Sequence, residues 1–232
     1  MKKTLSGVIL LLLTISSANA ALLSRSAGQA YYDTVLDITW LADANYASTS
    51  AYDFDGLMTW DASQTWIGTL NTASYLGASN WRLPTVTDTG TPGCNSAFTG
   101  TDCGYNVDLN TGEMARMFYS TLGNTAAFNT SGVQQPCSLA GPNFCLTNVG
   151  PFSNLQPNLY WSGTEVAPDT SKAWRFHFGN GLQTNFNKST VFSAWAVRPG
   201  DIALVPAPPA VWLLGTGVVG LLGRSLRRRS AA

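Results

Sequence analysis

Ala173-Trp174-Arg175-Phe176-His177-Phe178-Gly179-Asn180-Gly181, running on into Leu182 to Phe186, is the stretch that decides the fold. Side chains alternate along an extended chain, so Trp174, Phe176 and Phe178 share one face and Arg175 and His177 the other. Gly179-Asn180-Gly181 then supplies a tight turn, and the stretch predicts a β-hairpin with a buried aromatic face. Downstream, Val191 to Arg198 reads as a closing strand before Pro199-Gly200. Upstream, Tyr32 to Leu41 has a β-branched and aromatic composition, with Ile38 and Trp40 at period two, and predicts further strands. Two helices complete the pattern. Thr59 caps the first, in which Ala62, Trp66 and Leu70 form one stripe and Asp61 sits in the first turn. The second runs from about Gly112 to Leu122, with Thr111 as its cap, Glu113 at its positive end, Gly123 beyond its end and Met114, Met117, Phe118 and Leu122 on its buried face. Between the halves lie Gly, Ser, Thr, Asn and Pro-rich regions, about residues 86 to 110 and 125 to 158, too long to be mere connectors. The expected architecture is α+β: two helices packed on a mostly antiparallel sheet with long loops.

Charge divides the chain more sharply than its total implies. Lys and Arg number 13 against 13 Asp and Glu, a formal charge of zero. Yet Lys2, Lys3, Arg224, Arg227, Arg228 and Arg229 lie at the two ends, leaving 7 basic against 13 acidic residues, a charge of −6, from Ala21 to Asp201. A basic groove for nucleic acid is excluded there, so no nucleic-acid partner is expected. The same segment holds 25 of the 26 aromatic residues, which excludes a disordered solvating chain.

Both ends read as addresses. Residues 1–20 have the layout of a secretory signal: Lys2 and Lys3, an apolar run from Gly7 to Ile15, and Ala18-Asn19-Ala20 as the cleavage site. Residues 202–232 carry no charge until Arg224, and the cluster Arg224, Arg227, Arg228, Arg229 places the C-terminus on the cytoplasmic side of the membrane. Pro206, Pro208 and Pro209 confine a helix to Ala210–Gly223, which at 1.5 Å per residue spans only about 21 Å. A helix that short suits a transient anchor. With its sequence Val205-Pro206-Ala207-Pro208-Pro209, this tail resembles the PEP-CTERM class of sorting signals, in the variant where Val-Pro-x-Pro replaces Pro-Glu-Pro. The resemblance implies an exosortase as partner, in a Gram-negative bacterium that makes exopolysaccharide. An ordinary single-pass anchor is the alternative.

The middle, residues 21–201, carries an ordered set of strings: Asp33-Thr34-Val35-Leu36-Asp37-Ile38-Thr39-Trp40-Leu41, Asp43-Ala44-Asn45, Trp81-Arg82-Leu83-Pro84-Thr85, Tyr160-Trp161-Ser162-Gly163-Thr164-Glu165, Ala173-Trp174 and Ala196-Val197-Arg198-Pro199. In that order they resemble the Lcl C-terminal domain family. This family is similar to the C-type-lectin-like fold, in the branch shared with formylglycine-generating enzymes, and its named adhesin is associated with sulfated polysaccharides. A domain at −6 repels a polyanion unless Arg82, Lys172, Arg175 and Lys188 cluster.

Candidate chemistry is sparse. Cys94 with Cys103 and Cys137 with Cys145 form two close pairs; four cysteines allow three pairings in an oxidising compartment, and local bridges are expected. The cysteines that serve catalysis in formylglycine-generating enzymes have no counterpart, and His177 has no nucleophile at motif spacing and is expected to face solvent. No catalytic residue and no cofactor is expected. Asp43, Asn45, Asp53 and Asp55 stand near turns, either as solvated carboxylates or as a calcium site. Trp161, Glu165, Arg175 and His177 are the candidate ligand-binding residues, with core packing the alternative for Trp81, Trp161, Trp174 and Trp195. Arg82 and Arg198 read as structural, pairing with carboxylates or loop carbonyls near the closing strand, with Glu165 as the expected acidic partner. The expectation is an exported, non-enzymatic surface or matrix protein that binds a polysaccharide. The alternatives are a self-associating surface protein without a saccharide and an enzyme of the formylglycine-generating type.

Overall fold

The computed structural model describes residues 22–90 and 97–202. The leader expected at 1–20, Cys94, and the expected sorting tail with Val205, Pro206, Ala207, Pro208, Arg224, Arg227, Arg228 and Arg229 lie outside them. Among the described residues no helix is long and apolar enough to cross a membrane.

The fold is α+β, but its strands form two sheets rather than one. In the first, β1 (Leu22–Arg25), β2 (Ala30–Asp33), β3 (Ile38–Leu41) and β9 (Val197–Pro199) run antiparallel in the order β1-β2-β3-β9. The expected strand region from Tyr32 is a hairpin, because Asp33 Oδ1 accepts the amides of Val35 and Leu36 and turns the chain. The second sheet has the order β4-β8-β5-β6-β7, from β4 (Leu57–Met58), β5 (Leu159–Glu165), β6 (Lys172–His177), β7 (Leu182–Asn187) and β8 (Phe192–Ser193). Its one parallel contact is Tyr160 with Ser193. The single closing strand expected over Val191–Arg198 is therefore two, one in each sheet. Ala194, Trp195 and Ala196 cross between them with no exposed surface. Burial of Trp195 explains the crossing: its indole N–H donates to the Leu41 carbonyl at 2.7 Å, and its ring lies 4.6 Å from Trp40 and 4.7 Å from Phe152. The side chain that would have continued a strand instead joins the sheets into one core.

After the short α1 (Tyr46–Thr49), helix α2 (Trp60–Thr72) starts where expected, with Thr59 Oγ1 accepting from the Ala62 amide. Its buried face is Ser63, Trp66, Ile67 and Leu70, rotated slightly from the stripe through Ala62. The second predicted helix is shorter and irregular. Helix α3 (Glu113–Arg116) continues as a π turn over Met117–Thr121, and Gly112 rather than Thr111 is its cap. Thr111 is diverted because its hydroxyl donates to the Asp108 carbonyl at 2.6 Å. Met114, Met117, Phe118 and Leu122 are buried as the apolar spacing requires.

The Trp-Arg-Leu-Pro-Thr string docks on the closing strand. Arg82 and Val197 exchange backbone hydrogen bonds at 2.7 and 2.8 Å. The Arg82 guanidinium makes a two-point contact with Glu113, 2.7 Å to each carboxylate oxygen, and Glu113 also accepts from the Thr85 amide. The acidic partner of Arg82 is thus Glu113 and not Glu165, which pairs with Lys188 at the end of β5. Arg198 donates to the Asp201 carbonyl, and Arg25 bonds the Asp201 carboxylate. These contacts clamp the first strand to the last described residues.

Candidate functional site

The aromatic hairpin ends in a cleft. His177 pairs with Leu182, so Phe178 to Gly181 form the turn, and the amides of Asn180 and Gly181 both donate to the His177 carbonyl. Gly181 has φ +78°, and a Cβ on Gly179 would stand 2.8 Å from the His177 ring and 2.8 Å from the Pro157 carbonyl oxygen. Only glycine lets this turn close beneath the imidazole.

The long polar loops are pinned to that turn. Ala127 N–H donates to the Asn180 carbonyl at 2.9 Å, and Cys145 N–H to the Gly179 carbonyl at 3.0 Å. The disulfide Cys137–Cys145, with Cα atoms 4.7 Å apart, closes the loop that carries Ser138 and Phe144. Cys103 is disulfide-bonded as well. Together these segments enclose a cleft of about 230 Å³ lined by Tyr105, Phe128, Ser138, Phe144, His177 and Asn180, with Ala127 and Gly179 between them. Tyr105 and Phe128 stand 5.2 Å apart, and Phe98 packs on both. Around the cleft the loops expose apolar surface, with Leu139 at 76% and Val133 at 57%.

The Ser138 hydroxyl donates to the Gln135 carbonyl, but other side-chain donors of the cleft have no partner among the described residues. His177 Nδ1 accepts from the Gly179 amide at 3.0 Å, which fixes the proton of the neutral ring on Nε2. Burial, aided by the nearby Arg175 guanidinium, pushes the His177 pKa down to about 4, so the ring is uncharged at neutral pH. Asn180 Oδ1 accepts from the Leu182 amide, leaving its NH₂ uncommitted. The Tyr105 hydroxyl makes no hydrogen bond among the described residues. No carboxylate, thiol or second base lines the cleft. Rings plus donors can stack on and hydrogen-bond a hydroxyl-rich molecule; a proton-transfer pair is not assembled.

The sequence-derived candidates do not converge. His177 lines the cleft, half-buried rather than facing solvent. Arg175 lies between the rings of Phe186 and Phe192, 4.9 and 5.1 Å from their centroids, and its buried Nε has no hydrogen-bond partner. Trp161 has no exposed surface, and its indole donates to the Met58 carbonyl, so it offers no face to a ligand and is corrected to a core residue. Glu165 is held by Lys188, whose ammonium sits 4.1 Å over Trp60. Trp81, Trp174 and Trp195 are buried too. Tyr105, Phe128, Phe144 and Asn180 were missed; Tyr105 and Phe144 carried a signal as aromatic residues among turn formers beside Cys103 and Cys145, and Asn180 as the centre of the hairpin turn.

Two other cavities among the described residues lack this combination of three aromatic walls and uncommitted donors. One of about 340 Å³ lies among Thr85, Asn110, Glu113 and Arg116, where Glu113 is already held by Arg82. Another, of about 220 Å³, lies beside Asp43, Tyr46 and Tyr75. The turn carboxylates weighed for calcium serve the backbone: Asp43 accepts from Asn45, Asp53 from Asp55 and Gly56, and Asp55 from Leu57. Among the described residues no group of three or more His, Cys, Asp or Glu side chains could hold a metal.

The family model of the Lcl C-terminal domain matches residues 29–198. No curated protein and no solved structure matches the chain.

Proposed function

The chain belongs to the Lcl C-terminal domain family, and from that premise we propose that it is an exported, non-enzymatic protein of the cell surface or extracellular matrix that binds a saccharide in the cleft at the end of the aromatic hairpin. The observation that carries this reading is the cleft itself: three aromatic side chains line it together with His177 Nε2 and the Asn180 NH₂, which have no hydrogen-bond partner among the described residues. These donors are partly exposed, so a polyol hydroxyl can take the place of water on them beside the aromatic walls. Disulfides that tie the loops agree with an oxidising compartment. The Lys2-Lys3 leader and the Val205 to Arg229 tail support export followed by exosortase processing, with brief inner-membrane residence through the C-terminal helix. Arrays of immobilised glycans and pull-down on exopolysaccharide test the reading; binding no greater than that of heat-denatured protein refutes it. The exposed apolar rim at Val133 and Leu139 favours a second reading, self-association without a saccharide. That reading predicts concentration-dependent oligomers that added glycans leave unchanged.

A further inference from the structure

Resting on the saccharide reading, we infer that the cleft takes a neutral pyranose ring, stacked on Phe144 and the Tyr105–Phe128 pair and hydrogen-bonded by His177 Nε2 and Asn180 Nδ2, and that it rejects sulfated and uronic residues. Its size supports a single ring: about 230 Å³ is below the usual range for drug-sized ligands. Its charge supports neutrality. No lysine or arginine lines it, and His177 carries no charge at neutral pH. The nearest cation along the strand, Arg175, is engaged between Phe186 and Phe192 rather than turned toward the cleft. An anionic group placed there would lose hydration with no cation to replace it, in a domain whose 13 acidic residues outnumber 7 basic ones.

The geometry of the donors points the same way. Both remaining nitrogens carry hydrogens, because Nδ1 of His177 and Oδ1 of Asn180 are already engaged as acceptors by the turn. They can therefore meet only acceptor atoms of the ligand, which ring and hydroxyl oxygens provide without charge. The apolar face of a pyranose, made of its C–H groups, suits the aromatic walls.

The test applies the purified full chain to an array of neutral, uronic and sulfated glycans, and then measures affinity for the best neutral oligosaccharide by calorimetry. Two variants go beside it. Phe144→Ala removes a side chain that is 44% exposed, and Tyr105→Phe removes only a hydroxyl. Binding confined to neutral glycans, weakened roughly tenfold by Phe144→Ala at unchanged melting temperature, is the expected result. Binding only to sulfated or uronic glycans overturns this inference and leaves the saccharide reading standing. Neutral binding that neither variant weakens overturns the placement in this cleft. No glycan binding at all overturns both.

Discussion

Lowering the pH from about 7 to about 5 should destabilise this domain through a single side chain, and the size of the effect follows from the burial of His177. The chain has one histidine. In the folded state its pKa is pushed from 6.5 down to about 4, by burial first and then by Arg175. The unfolded chain therefore takes up the proton first. Stability is complete above the unfolded value and declines as pH falls from 6.5 toward 4, where the folded state also becomes protonated. At pH 5 the unfolded imidazole is almost fully charged and the folded one almost fully neutral, which amounts to about 2 kcal/mol of lost stability. Asp88 and Asp201, both held below the ordinary carboxylate value, act only at still lower pH. Urea unfolding followed by tryptophan fluorescence at the two pH values measures the loss. His177→Asn keeps an acceptor for the Gly179 amide and removes the titration, so its stability should be nearly flat over the same interval. A flat profile in the parent protein, or an equal slope in the variant, would refute the reasoning.

Three further outcomes follow from the packing. Trp195→Ala should cost about 4 kcal/mol, since it empties the junction of the two sheets and orphans the Leu41 carbonyl; the urea midpoint reads it directly. Glu113→Gln should cost about 2 kcal/mol, because Arg82 loses a charge-assisted contact that fixes the Trp81 to Thr85 segment on β9. Replacing both Cys137 and Cys145 by serine should lower stability by about 2.5 kcal/mol from loop-closure entropy, seen as a lower melting temperature, and should weaken saccharide binding more than Trp195 variants compared at equal folded fraction.

Much of the fold was legible because local rules and tertiary packing agree. The alternation in Trp174, Phe176 and Phe178 and the glycines after it specify the hairpin without outside help, and Thr59 caps α2 for a reason visible within four residues. Where they disagree, the sequence misled. Val191 to Arg198 has strand composition throughout, but Trp195 finds its partners, Trp40, Phe152 and the Leu41 carbonyl, far away in sequence, and their pull splits the strand. Thr111 has cap chemistry, yet Asp108 offers its hydroxyl an acceptor three residues back. Glu165, expected to pair with Arg82, is taken by Lys188; Glu113, 31 residues along the chain, is the acid that meets Arg82 in space. The cleft was harder still. His177 was found because it stands out against aromatic neighbours, whereas Tyr105, Phe128 and Phe144 come from three loop segments whose meeting depends on the hairpin turn and the Cys137–Cys145 bridge. No periodicity records such a meeting.

The most direct test of the central claim is amide chemical-shift mapping of the isotopically labelled protein during titration with a neutral oligosaccharide that binds it. The account predicts saturable shifts centred on Tyr105, Phe128, Phe144, His177 and Asn180, with those at Trp161 and Glu165 unmoved. Shifts centred instead on Arg175, Lys188 and the outer face of β7, or an unperturbed spectrum at saturating saccharide, would contradict it.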